Sequence, residues 1–223
     1  MRIQHILPGD IERTSMSIIA SELAERGAVL PPEHEAVIKR VIHTTADFDY
    51  VRSLRFTPRA VELGQAALRQ GVPIITDTNM AKAGISRPSL EKLGCTLHCF
   101  MADPEIAELA KKQGLTRAAV SMEKAAQDHP VAIFAVGNAP TALLRIAELI
   151  EEGLRPALVI GVPVGFVNVS ESKEILLSSC ETHDVPAIAA MGRKGGSSVA
   201  AAICNALLYG ATETLDPAAR GWQ

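Results

Sequence analysis

Uninterrupted apolar runs alternate with amphipathic segments along most of the chain. The run Val131–Val136 has no polar alternation, which indicates a strand covered on both faces, as in a parallel sheet. The next segment, Thr141–Gly153, carries apolar side chains on one side and ends at a glycine, which predicts an amphipathic helix. A second apolar run with a Gly/Pro-rich turn follows at 157–166. Strands alternating with helices in this way predict βαβ units and a mostly parallel sheet.

The same alternation organises the rest of the chain. Two helices are predicted near the N-terminus, over 11–26 and 31–48, before the alternating elements begin. Further strands are predicted at 72–77, 95–100 and 185–191. We therefore predict one α/β domain over residues 1–223, with a mostly parallel sheet and helices on both faces. Residues 1–50 are expected to form a helical N-terminal arm, and residues 211–223 a weakly ordered polar tail.

The composition and charge of the chain exclude some classes of binding partner. The chain has 223 residues and a formal net charge of −3, which argues against nucleic acid or an anionic membrane surface as a partner. An acidic substrate would need a local cluster of Arg and Lys. The first residues lack the apolar core of a signal peptide, and no run approaches transmembrane length. These features predict a cytoplasmic protein that does not enter a membrane.

Motifs for metal, nucleotide or covalent chemistry are missing from the sequence. The cysteines are Cys95, Cys99, Cys180 and Cys204, and neither they nor the six histidines show metal-ligand spacings, so we expect buried structural thiols and no metal site. The sequence contains no GxxxxGK[ST] loop and no GxGxxG fingerprint. It also contains no GxSxG nucleophile elbow, so hydrolase chemistry has little support.

Polar or glycine-rich residues follow several predicted strands. The turns 137–141 and 192–198 expose backbone amides at the start of a helix, an arrangement that binds oxyanions. Glycine turns at such junctions are also ordinary architecture. The pattern alone therefore leaves anion binding and a purely structural role open.

His43 is the histidine that lies beside an apolar stripe, near the end of the second predicted helix. A partly buried imidazole there can act as a general acid near neutral pH. A hydrogen-bonded histidine at the edge of the core fits the same pattern. The residues alone do not choose between these two interpretations.

Three longer motifs resemble one known family. GNAPTALLRIAEL, GVPVGFVNVSESKEIL and GRKGGSSVAAAICNAL are similar to the precorrin-8X methylmutase family of cobalamin biosynthesis. The segments VIHTTADF, FTPRAVELGQAAL, VPIITDTNM and LTRAA extend the resemblance, in order, over nearly the whole chain. The match departs from typical members at Arg193–Lys194, where an apolar residue often follows the arginine, and in a longer polar tail.

The resemblance implies an isomerase that moves a methyl group on ring C of precorrin-8X or cobalt-precorrin-8, giving hydrogenobyrinic or cobyrinic acid. It implies a homodimer without a cofactor, with a tetrapyrrole substrate bound close to the subunit interface. It also implies that His43 hydrogen-bonds to, or protonates, a ring nitrogen of the substrate. Such a shift needs a proton donor and a rigid cavity, which fits a chain without nucleophile or nucleotide motifs.

The same resemblance implies a set of substrate contacts around the turns, whose amides are expected to face the substrate's carboxylates. These candidates are Ser15, Ser17, Asp77, Arg117, Asn138, Thr141, Lys173, Arg193, Gly195 and Gly196. Asp77 could instead cap the helix that follows it. Further basic residues that could pair with carboxylates are Arg13, Arg55, Arg87 and Lys194.

Two competing functions stay open at this point. One is a non-catalytic carrier that binds a corrinoid and passes it to the next enzyme. The other is a generic nucleotide-binding α/β protein, which the missing phosphate motifs disfavour.

Overall fold

The computed structural model describes residues 8–220. Its helices are α1 (Pro8–Glu25), α2 (Pro32–Thr45), α3 (Tyr50–Ser53), α4 (Ala60–Arg69), α5 (Asn79–Gly84), α6 (Arg87–Leu93), α7 (Pro104–Gln113), α8 (Arg117–Asp128), α9 (Pro140–Glu151), α10 (Val169–Thr182) and α11 (Ser197–Ala211), with a short 3₁₀ helix at Pro217–Arg220. Its strands are β1 (Leu54–Phe56), β2 (Ile74–Thr76), β3 (Leu97–His98), β4 (Ile133–Val136), β5 (Leu158–Gly161) and β6 (Ala187–Ala190).

The six strands form one sheet in the order β1-β6-β5-β4-β2-β3. Among the described strands, β2 to β6 pair in parallel, and the edge strand β1 pairs antiparallel with β6. The central strands are buried on both faces, as their unbroken apolar sequence predicts. The predicted mostly parallel sheet is confirmed.

Side chains of one strand serve two cores on opposite faces of the sheet. Ile133 and Ala135 of β4 pack with residues of α2, α4 and α11, whereas Phe134 and Val136 pack with residues of α8, α9 and α10. This alternation follows from the two-residue period of a strand. The predicted helices on both faces are therefore confirmed.

The N-terminal helices belong to one of these two cores. Val37 and Val41 of α2 are buried together with Leu207 of α11, and Ile19 of α1 joins the same cluster. The segment predicted as a helical arm thus forms an outer layer over α11. Residues 1–7 of that segment lie outside the described residues.

Where the sequence predicts a weakly ordered tail, residues 212–220 make defined contacts. Thr214 is buried, and its amide donates to the carbonyl of Tyr209. Arg220 donates to Glu12 of α1 at 2.6 Å. The last three residues, 221–223, lie outside the described part.

Across residues 8–220, no helix combines the length and the apolar character that crossing a membrane requires.

Candidate active site

The turns after β2, β4, β5 and β6 meet at one edge of the sheet, because parallel strands end on the same side. The hydroxyls of Thr78 and Ser197 lie 2.8 Å apart, which joins the turn after β2 to the start of α11. A Cβ on Gly137 would lie 2.7 Å from the Cα of Ser197, so the turn after β4 also touches α11. The sequence predicted these turns at strand ends, and the sheet brings them together.

Asp77 occupies the anion position that the sequence suggested for a ligand. Its fully buried carboxylate accepts hydrogen bonds from the amides of Gly137, Asn138 and Ala139 at 2.8–2.9 Å. Burial raises the pKa of Asp77, and the three amide donors oppose that rise. The expectation that these amides face substrate carboxylates is wrong, because the protein's own carboxylate already fills the N-terminus of α9.

Asp77 also does not cap the following helix, which was the alternative for this residue. Thr78 is the N-cap of α5, and its hydroxyl accepts from the amide of Ala81 at 3.1 Å.

The two glycines predicted as substrate contacts are held against a neighbouring turn. The amide of Gly196 donates to the carbonyl of Val162 at 2.8 Å. A Cβ on Gly195 would lie 2.1 Å from that same oxygen. These glycines therefore allow close packing of two turns, and the predicted role of the Gly196 amide as a carboxylate donor is not supported.

Lys173 is buried inside the protein, where the sequence predicted a substrate contact. Its side chain is fully buried, and its amine donates to the carbonyls of Gly192 and Lys194 at 2.8 and 2.9 Å. Burial lowers the pKa of Lys173 to about 8. The expected substrate contact of Lys173 is therefore wrong. Its amine instead holds the turn after β6 from inside the protein, through two acceptors of that turn.

The turn after β6 carries two basic residues with different surroundings. Lys194 pairs with Asp47 at 2.7 Å and Asp49 at 2.6 Å, which ties the turn to the segment after α2 and neutralises the lysine. These carboxylates raise the pKa of Lys194. The guanidinium of Arg193 is exposed and lies 5.5 Å from the ring centre of Phe166. Arg193 therefore remains available to a carboxylate, whereas Lys194 is committed to the two aspartates.

A second part of the same edge holds Arg117, Asn138 and Thr141. Thr116 caps α8 and donates to the hydroxyl of Thr141 at 2.8 Å, which joins the starts of α8 and α9. Arg117 is the first residue of α8 and is exposed, as is Asn138. The structure thus brings these three predicted contacts together at the surface.

His43 lies near the end of α2 at an exposed position, and its neighbours remove part of the ring from water, as expected for a partly buried imidazole. Arg40 lies three positions earlier on the same helix face, and Glu12 of α1 accepts from Arg40 at 2.6 Å. Local burial and the positive charges of Arg40 and Arg220 lower the pKa of His43, while Glu12 opposes them. These surroundings therefore hold the pKa of His43 below its ordinary value.

The two candidate serines lie on α1. The hydroxyl of Ser15 donates to the carbonyl of Ile11 at 2.8 Å, within its own helix. Ser17 is exposed. Neither has a contact that tests its predicted role.

Sequence reasoning missed Glu12, Arg40 and Arg220 around His43. The spacing of three between Arg40 and His43 was a usable signal, because residues three apart share a helix face. Nothing local marked Glu12 or Arg220, since their contact joins positions 208 residues apart.

A cavity of about 500 Å³ between α8 and α9 is lined by Thr116, Thr141 and Arg145, and His43 is not among its lining residues. Within residues 8–220, no group of three or more His, Cys, Asp or Glu side chains is arranged to hold a metal ion.

Comparison with known proteins decides the family. The sequence model of the precorrin-8X methylmutase family matches residues 10–210. The chain belongs to this family. It is 46% identical over 207 residues to the cobalt-precorrin-8 methylmutase of Salmonella typhimurium, covering 91% of this chain and 95% of that protein. It is 38% identical to the precorrin-8X methylmutase of Pseudomonas aeruginosa, covering 92% of this chain and 97% of that protein.

A solved structure agrees with the fold. The crystal structure of the precorrin-8X methyl mutase from Thermus thermophilus superimposes with a TM-score of 0.81 at 38% sequence identity, covering 91% of this chain and 98% of the other. The family resemblance seen in the sequence motifs is thus confirmed. Family membership places the chain among the isomerases of cobalamin biosynthesis.

Proposed function

We propose that this protein moves a methyl group on ring C of precorrin-8X or cobalt-precorrin-8, giving hydrogenobyrinic or cobyrinic acid. Family membership over residues 10–210 supports the reaction class. The proposed site rests on the exposed imidazole of His43, which lies beside Arg40 on α2. The pair between Asp47 and Lys194 holds the end of this helix. An exposed ring can reach a large substrate that a closed cavity would not admit.

In the proposed reaction, His43 is the proton donor to a ring nitrogen. The methyl–carbon bond breaks at one ring carbon as a new bond forms at the adjacent carbon, so substrate and product are isomers and no redox partner is needed. A lowered pKa makes the protonated ring a stronger acid, and the neutral ring still donates one N–H hydrogen bond. The protonated form stabilises electron density on the nitrogen more strongly, so we expect turnover to fall as pH rises through the pKa of His43.

Exposed polar groups at the sheet edge are the proposed contacts to the substrate's carboxylates. Arg117 and Arg193 supply positive charge, and both are exposed. Asn138, Thr141, Ser15 and Ser17 are proposed hydrogen-bonding contacts. Asp77, Lys173, Gly195 and Gly196 are instead proposed to hold the turns that carry these groups.

The proposal includes a homodimer in the cytoplasm, with the substrate near the subunit interface and no cofactor. Support for the dimer comes from the apolar turn between β5 and α10, where Phe166 is 83% exposed and Val167 77% exposed. Exposed apolar side chains that lie next to each other mark contact surfaces more often than isolated ones do.

Replacement of His43 by alanine tests the catalytic role. We expect His43→Ala to fold normally, because the ring is exposed, and to lose turnover by about 100-fold or more, the range of general acid catalysis. The measurement is the change in absorbance when substrate becomes the corrin product. The control is His34→Ala, which removes the other histidine of α2, stacked on Phe56 at the opposite end of the helix. Near-normal conversion by folded His43→Ala would sink the proposal.

A single-turnover experiment separates the enzyme from the corrinoid carrier that was the alternative. The protein is mixed in excess with substrate, and the full spectrum is followed. The enzyme produces the product spectrum, whereas a carrier changes the substrate spectrum on binding and forms no product. Adding hydrogenobyrinic and cobyrinic acids in turn shows which product binds more tightly, and so whether the substrate carries cobalt.

A further inference from the structure

The C-terminal segment extends beyond the part of the chain that matches the family. The match ends at residue 210, whereas the structure describes an ordered segment that continues to Arg220. This segment is fastened to the body: Lys92 of α6 donates to the carbonyl of Thr212, and the hydroxyls of Thr212 and Thr214 lie 2.7 Å apart. The 3₁₀ helix Pro217–Arg220 then packs against α1.

Arg220 enters the ion pair beside His43. Its Nη2 lies 2.6 Å from Oε1 of Glu12, the same oxygen that accepts from Nη2 of Arg40 at 2.6 Å. The guanidinium groups of Arg220 and Arg40 lie 4.2 and 5.2 Å from the ring centre of Tyr209 on α11. The side chain of Arg220 is only 8% exposed. Two arginines thus share one carboxylate, and both lie over one aromatic ring, in a largely buried cluster.

This cluster carries a net positive charge. One carboxylate compensates one of the two guanidinium groups, and Nη1 of Arg220 is buried without a hydrogen-bond partner among the described residues. Charges that are partly removed from water act more strongly on their neighbours than exposed charges do. The excess positive charge therefore acts on the imidazole of His43.

We propose that Arg220 is a positioning residue for the reaction: it fixes the Glu12 carboxylate against Arg40 and thereby sets the charge that faces His43. The charged groups that act on the imidazole are Arg40 on its own helix, Glu12 on α1 and Arg220 on the C-terminal segment, and α11 contributes the ring of Tyr209.

The direction of the effect follows from these charges. Burial lowers the pKa of His43 most, Arg40 and Arg220 lower it further, and Glu12 raises it. Burial alone would raise the pKa of Glu12, but its hydrogen bonds with Arg40 and Arg220 outweigh burial and lower it, which keeps the carboxylate ionised. Loss of Arg220 removes a positive charge while Glu12 stays negative. The proton affinity of His43 must then increase.

The test is a titration of His43 by NMR on the full-length chain, with selective histidine labelling and His43→Ala for assignment. Arg220→Gln keeps much of the packing on Tyr209 and removes the charge, so we expect the pKa of His43 to rise by about 0.5 to 1 unit. Arg220→Lys keeps the charge, and we expect it to restore most of the wild-type value. The matched control is Arg26→Ala, which removes an exposed arginine just after α1 that pairs with Glu22. It should leave the titration unchanged.

The second readout is the pH profile of kcat, and this readout alone rests on the proposed function. Activity that needs a protonated His43 falls as pH rises through the pKa of that ring. The fall should therefore move to higher pH in Arg220→Gln and stay in place in Arg26→Ala. An unshifted His43 titration in folded Arg220→Gln overturns the proposal for Arg220. A shifted titration combined with an active His43→Ala variant overturns only the catalytic role of His43.

Discussion

Asp77 shows how one side chain can replace a ligand. A glycine turn at the start of a helix offers amides to an anion, and in this protein the anion is a carboxylate of the same chain. Its three donors come from consecutive residues, Gly137 to Ala139, so a single side chain fixes the whole turn. Asn138 is thereby held at the surface, where it is proposed to contact substrate.

Replacement of Asp77 should therefore destabilise the protein without touching the reacting groups. In Asp77→Asn, the new side chain has one acceptor oxygen and no charge, so buried backbone amides of the turn lose their acceptor. We expect the free energy of unfolding to fall by about 2–3 kcal/mol. Urea unfolding followed by circular dichroism measures it. The control is Asp128→Asn, which removes an exposed pair with Lys124 and should change stability by less than about 1 kcal/mol. Equal stability of the two variants would contradict this role for Asp77.

The turn after β6 is the element that connects the two parts of the site. Lys173 supports it from inside the protein, and Lys194 joins it to Asp47 and Asp49, just after the helix that carries His43. Arg193, between these fixed points, faces solvent beside Phe166. The turn thus holds one proposed carboxylate contact in a defined place relative to α2.

Two glycines of this turn provide a matched test of that arrangement. Gly195→Ala would place a Cβ 2.1 Å from the carbonyl oxygen of Val162, so the two turns must separate. We expect reduced product affinity, by about 10-fold or more, and a loss of stability of about 2 kcal/mol or more. In Gly192→Ala the new Cβ has open space, and only its positive φ of 75° is unfavourable. That variant should lose about 1 kcal/mol and bind product nearly as well as wild type.

Product binding is measured by titrating absorbance, and stability by thermal unfolding. If Gly195→Ala binds product as tightly as Gly192→Ala does, contact between the turns after β5 and β6 has no part in shaping the site.

The whole molecule leaves an apolar turn uncovered. Val164, Phe166 and Val167 are 48%, 83% and 77% exposed, although they lie in one short segment next to Arg193. A surface of this kind beside an open site is expected to be covered by a second copy of the chain.

Sedimentation velocity tests this expectation. The wild-type protein should sediment as a dimer at micromolar concentration, and Phe166→Asp should shift it toward monomer, because a charge would be buried at the contact. The control is Val29→Asp, which changes a 93% exposed valine between α1 and α2 and should leave the dimer intact. A monomeric wild type contradicts the homodimer, and a dimeric Phe166→Asp places the contact elsewhere.

Much of the fold follows from the order of apolar and polar residues. Strands such as Ile133–Val136 are recognisable because every side chain is apolar, and α9 because its apolar residues recur at the helical period. Gly114 ends α7 in a left-handed conformation and so separates α7 from α8. These features depend on neighbours a few positions away, so the linear sequence contains the information. The family motifs can be recognised in the sequence for the same reason.

The chemical environment of the site depends on contacts across the fold. Asp77 meets its three amides 60 to 62 positions further along the chain, and Arg220 meets Glu12 across 208 positions. The burial of Lys173 likewise depends on the turn after β6, some 20 residues later. Packing brings groups that are distant in sequence within hydrogen-bond distance of each other. Those contacts determine whether a polar group faces a substrate or bonds to the protein itself. Composition and spacing identify the chemical groups, and packing decides which of them remain available.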